Sequence, residues 1–373
     1  MSEYQYYEFL ALDRPLNATE KAYVQSLSSR VELTLTQAKF VYHYGDFRGN
    51  SHELLEKCFD VMLYMASWGS RQLIFRFPKS LVNADIFEPY CLEDRITIST
   101  TKKSVILDIN IHDEEMNHWI DSGEGYLSDM ASLRNDLLQG DMRSLYLAWL
   151  KAAPIYFDPE EEDYIEPPVP ANLNNLPNSL LVLIDFLELE QDLIAGAARA
   201  SESQEEEEES LEDLIPKLSE REKNDFLVRL IKGESHVGMQ LTNRLREFAG
   251  KREVRIDNNI PRRTLSELLK LAEGEINQRK KNEQEAAHQT KIQKLEALAK
   301  RKDKVWEQIF ELLKLKQSKP YDQAVAHLVD LRDLAEYQGK LEEFQTSIKQ
   351  MQIDYSSRPG LISRLQKAML LVK

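Results

Sequence analysis

His43, Asp46 and Arg48 bring an imidazole, a carboxylate and a guanidinium into one six-residue stretch around Gly45. Imidazole titrates near neutral pH, so His43 beside a carboxylate has the makings of a general base. Asp13 and Arg14, just past an aromatic run, are expected at the same corner. The competing reading is a turn in which Asp46 and Arg48 hold a strand end. A second cluster, His112-Asp-Glu-Glu-Met-Asn-His118, has the ligand types for a divalent metal, although loops of this composition are commonly just solvated. A third is basic: Arg252, Arg255, Arg262, Arg263, Arg279, Lys280 and Lys281 have the charge to track phosphates, but no aromatic stands among them to stack bases. The chain has no glycine-rich phosphate loop, nucleophile elbow, metal-spaced cysteine pair or His-Glu-x-x-His, so neither cofactor nor metal is expected.

Residues 1–122, which carry the first two clusters, read as an α+β domain. Tyr6–Leu12 is a strand candidate, and Asn17-Ala-Thr-Glu20 caps a short helix. Val31, Leu33 and Leu35 alternate, then Ala38, Phe40, Tyr42 and Tyr44 alternate in the opposite phase, which requires a turn or a bulge near Gln37. Asn50 caps a second helix whose stripe Leu55, Cys58, Phe59, Met62 and Ala66 predicts an end at Trp68-Gly69. Leu73, Phe75 and Phe77 mark a strand, and 96–100 with 104–111 a hairpin. The expected fold is a mostly antiparallel sheet with helices on one face, nearest to a ferredoxin-like sandwich.

Residues 123–200 read as a helical extension, interrupted by a proline-rich acidic connector at 158–170 that is expected to be extended. Residues 201–213, with five consecutive glutamates, read as an acidic linker. Residues 214–373 read as all-helical, organised on one long helix over 265–318 that Pro320 ends. Leu265, Leu269, Ala272 and Ile276 keep a 4-3-4 spacing near its start; Leu295, Trp306, Ile309 and Leu313 resume it later as candidate contacts for a partner helix. The polar middle, 277–291, offers nothing to bury, which suits a helix bridging two bodies through solvent.

Charge divides the chain. Residues 211–373 carry 32 basic and 25 acidic side chains, the rest 16 and 38. The acidic part should repel nucleic acid and anionic membrane, while the basic part has the sign to touch either. No apolar run is long enough to span a bilayer, and the first residues lack a basic-then-apolar leader. Two cysteines, Cys58 and Cys91, fit reduced thiols, so a cytoplasmic protein is expected.

Tyr6-Tyr-Glu-Phe-Leu-Ala-Leu-Asp-Arg-Pro-Leu16 with Tyr44-Gly-Asp-Phe-Arg-Gly49 resembles a family of uncharacterised bacterial proteins. Residues 316–335 are similar to the helical tail of some bacterial SWIM-type zinc-finger proteins, but the Cys-x-Cys and Cys-x-His zinc ligands are absent. The resemblance implies no activity. The reading is an interaction or scaffold protein that binds another protein, or itself, through the long helix. The alternatives are a nucleic-acid-associated factor making a weak contact through the basic half, and an enzyme with a pocket at His43 and Asp46.

Overall fold

The structure is a computed structural model that describes residues 4–43, 45–116, 122–158, 164–203, 211–232, 237–248 and 262–371. The first part opens with β1 (Gln5–Leu10), α1 (Ala18–Leu27), β2 (Glu32–Leu33), β3 (Gln37–Tyr42), α2 (Ser51–Cys58) and β4 (Val61–Ala66). Three strands follow: β5 (Ser70–Pro78), β6 (Ile96–Thr100) and β7 (Ser104–His112). All seven pair antiparallel in the order β2-β3-β1-β4-β5-β7-β6. The first four strands with α1 and α2 therefore have the split βαβ order of a ferredoxin-like sandwich, extended by three strands. Asn17 and Asn50 cap α1 and α2 as their spacing predicts.

One expectation fails here. The apolar stripe through Met62 and Ala66 is not helix: α2 stops at Cys58 and β4 begins at Val61. Helical spacing and a strand covered on both faces are hard to tell apart in so short an apolar run. On one face Phe9, Ile74 and Met62 pack against Val24 of α1 and Leu54 of α2. On the other, Val61, Phe75, Leu107 and Ile109 meet the helices that follow.

Those helices are α3 (Tyr126–Met130), α4 (Leu133–Leu138), α5 (Arg143–Tyr156), α6 (Asn178–Leu187) and α7 (Gln191–Ala198). Pro154 lies inside α5 and does not end it. Next come α8 (Leu211–Leu214), α9 (Glu220–Ile231) and α10 (Val237–Phe248); Leu214 of α8, Leu218 of the turn before α9 and Leu245 of α10 form a small core. Of the expected acidic linker, 204–210 lie outside the described residues, and its last residues enter α8.

The long helix, α11, runs Leu265–Ala299 and is followed by α12 (Lys302–Lys314), α13 (Ser318–Tyr337), α14 (Leu341–Asp354) and α15 (Pro359–Lys367). A continuous helix over 265–318 is thus corrected to two, α11 and α12, with α13 beginning at the last residue of that span. The break falls at Lys300–Arg301, not in the polar window, and Pro320 sits in the first turn of α13. Proline is tolerated there because the first-turn N–H groups have no intrahelical partner.

Two compact units result, residues 1–276 and 277–373, and the division falls inside α11. Leu265, Leu268 and Ala272 belong to the first core, whereas Leu295 and Leu298 belong to the second with α12 to α15. Residues 277–291 are all exposed. The proposed 214–373 domain therefore does not share one core. No described helix is long and apolar enough to cross a membrane.

Candidate interaction surface

The polar corner does not assemble. Asp13 turns to Arg134, which holds both its carboxylate oxygens at 2.9 and 3.0 Å. Arg14 instead pairs with Glu20 on the surface. Asp46 accepts a hydrogen bond from Gln5 Nε2 at 2.8 Å, and exposed His43 lies against the Tyr4 ring, centroids 5.6 Å apart. Arg48 is exposed. Among the described residues, no hydrogen bond or ion pair joins His43 to Asp46 or Arg48. The residues share a neighbourhood in sequence, but each is used by a different part of the sheet.

Asp13 belongs to a structural network. Buried Asp60 accepts from the backbone N–H groups of Leu12 and Asp13 at 2.7 and 2.9 Å and pairs with Arg76. Arg134, only 3 % exposed, donates to the Arg76 carbonyl at 2.8 Å. Its charge and donors are satisfied by two carboxylates and a carbonyl, which is what a buried guanidinium requires. This network pins α4 to the sheet.

A second network corrects one reading. Glu166, in the acidic connector expected to be extended, is 1 % exposed. Arg263, expected on a basic surface, grips it with two bonds of 2.7 Å. Tyr146 of α5 donates to the same carboxylate, and Glu166 N–H bonds the Arg263 carbonyl at 2.9 Å. Arg263 also donates to the Gly196 and Ala197 carbonyls in the last turn of α7, where a cation suits the helix C-terminus. Burial, then the charge of Glu166, pushes the Tyr146 phenol well above its ordinary value. Three segments and the start of α11 meet on this one ion pair. It is a clamp, and Arg263 is not available to phosphate.

Of the other basic candidates, Arg252 and Arg255 lie outside the described residues. Arg262, Lys280 and Lys281 are exposed, and Arg279 pairs with Glu283 at 3.1 Å. His118 is also outside the described residues, and no group of metal-ligand types gathers among those described. Cys58 and Cys91 are free thiols, both pushed up to about 11 by burial.

The proposed partner-helix contacts are corrected as well. Ile309 and Leu313 are fully buried and Leu295 nearly so; Trp306 packs beside Phe344 of α14. All four build the second core. Helical spacing identifies a buried stripe, but not which helix covers it.

No protein family, curated protein or solved structure matches the chain.

The surface that sequence reading missed is on α9. Ser219 and Glu222 form its capping box, so the helix is well started. Yet none of its residues is buried. Leu227, Val228, Leu230 and Ile231 are 56, 47, 45 and 85 % exposed. At 100° per residue they fall within an arc of about 160°. The opposite side carries Glu222, Phe226 and Arg229 and faces α10, where Glu222 pairs with Arg244 at 2.9 Å and Arg229 bonds Gln240. Among the described side chains, the polar contacts of Glu222 and Arg229 join α9 to α10, while its leucines, valine and isoleucine at 227, 228, 230 and 231 turn outward.

Proposed function

We propose that this is a protein–protein interaction protein whose binding surface is the outward face of α9. The observation that carries this reading is the outward turn of that helix's apolar side chains. Single exposed leucines are ordinary, but four large apolar side chains on one arc form a patch of the kind that marks an interaction site. The long helix keeps a different part from the one expected, since both its apolar clusters are consumed by the two cores. A scaffold role rests on the chain holding two compact units, each with its own core.

The test is cross-linking and capture from native cells with wild-type chain and with Leu227→Asp combined with Ile231→Asp. The exposed positions should accept aspartate without loss of helix by circular dichroism, and the captured partner should disappear. An unchanged set of partners would remove α9 as the binding surface.

A further inference from the structure

The second unit, 277–373, carries 19 basic and 13 acidic side chains, and 9 and 4 of these lie in residues 279–304 alone. Its excess positive charge is thus almost entirely on α11 past the polar window's start and on the beginning of α12. Within this stretch Arg279 is paired with Glu283. Lys280, Lys281, Lys291 and Lys294 are exposed and have no ion-pair partner among the described residues. Helical geometry puts these four within an arc of about 140°, and Glu283, Glu285 and Glu296 all fall outside it. From Lys280 to Lys294 the face runs roughly 21 Å.

We propose that this face binds the phosphate backbone of duplex nucleic acid, without sequence preference. Its charge is complementary to a polyanion, and 21 Å matches about six base-pair steps of 3.4 Å. An acidic protein is the other polyanion to weigh. Stable protein interfaces centre on apolar side chains, but Gln284, Ala287 and His288 are all that lie between the lysines on this face. Phosphate binding needs no such centre, because released counterions supply the driving force. The absence of aromatics between 277 and 305 fits backbone contact rather than base stacking. Screening over about 8 Å at physiological ionic strength lets this local charge act despite the chain's net charge of −15.

The experiment is fluorescence anisotropy of a labelled duplex titrated with the full chain at several salt concentrations. If each lysine neutralises one phosphate, the logarithm of the binding constant falls with log salt at a slope of about −3.6, or about 150-fold from 50 to 200 mM. Lys280→Glu, Lys281→Glu, Lys291→Glu and Lys294→Glu together should abolish binding while unfolding midpoints stay put. Lys319→Glu with Lys349→Glu, also exposed, should bind as wild type. No binding at 50 mM salt, binding unchanged in the fourfold variant, or equal competition by polyglutamate at matched charge would each overturn the proposal.

Discussion

At the residue scale, the charged side chains that drew attention as chemistry prove to be holding the fold, and two of them make measurable claims. Glu166 is buried and bonded to Arg263 and Tyr146, so removing it strands a guanidinium. Glu166→Ala should lower unfolding free energy by about 3–5 kcal/mol, as expected when one partner of a buried pair is lost. Urea denaturation would read it, and a loss below about 1 kcal/mol would mean the pair is solvated. Glu8 makes the second claim. Burial holds its carboxyl above the usual range, against hydrogen bonds from Tyr6 and Gln37 and the nearby charge of Lys39; Glu124 pushes it further up. A raised folded value means that the folded chain binds the proton more tightly. That contribution is complete below the unfolded value of about 4.3 and is lost as pH rises through the folded value. Glu8→Gln should therefore compare better with wild type at pH 7.5 than at pH 4.5. Equal differences in urea midpoint at the two pH values would count against a perturbed Glu8.

At the element scale, glycines separate packing from propensity. Gly274 lies inside α11, and a β-carbon there would meet nothing within 4 Å. Gly274→Ala should stabilise the chain by about 0.5–1 kcal/mol from helix propensity. Gly196 of α7 is the opposite case: its β-carbon would come 3.0 Å from the Ala272 backbone nitrogen. Gly196→Ala should push α7 from α11 and lower the thermal midpoint, where Gly274→Ala raises it. Elements announced by local chemistry were legible in sequence. Caps at Asn17 and Asn50 mark real helix starts, and the alternation of Leu73, Phe75 and Phe77 marks β5. What depends on distant partners was not. β4 lies between two layers and loses its alternation, Arg263 finds Glu166 across 97 residues, and Trp306 finds Phe344 in a later helix. The outward face of α9 was hidden for a related reason. Its apolar spacing is ordinary, and only the position of α10 shows which side turns outward.

At the scale of the whole molecule, the two cores share a helix but no buried side chain in its middle. Cooperative unfolding requires contacts that are lost together, so each core should melt as its own transition in calorimetry. Leu328 is fully buried in the second core and Leu145 in the first. Leu328→Ala should lower one transition and Leu145→Ala the other, each by the equivalent of about 2–5 kcal/mol. Coupling through α11 is the alternative, and Gln284→Pro isolates it. Proline in a helix interior costs about 3 kcal/mol or more, but at Gln284 it disturbs only exposed residues. If the cores are independent, both transitions keep their midpoints in Gln284→Pro. If the intact helix makes them one cooperative body, wild type shows a single transition that Gln284→Pro splits in two, and the division at Ile276 would then be one of packing alone.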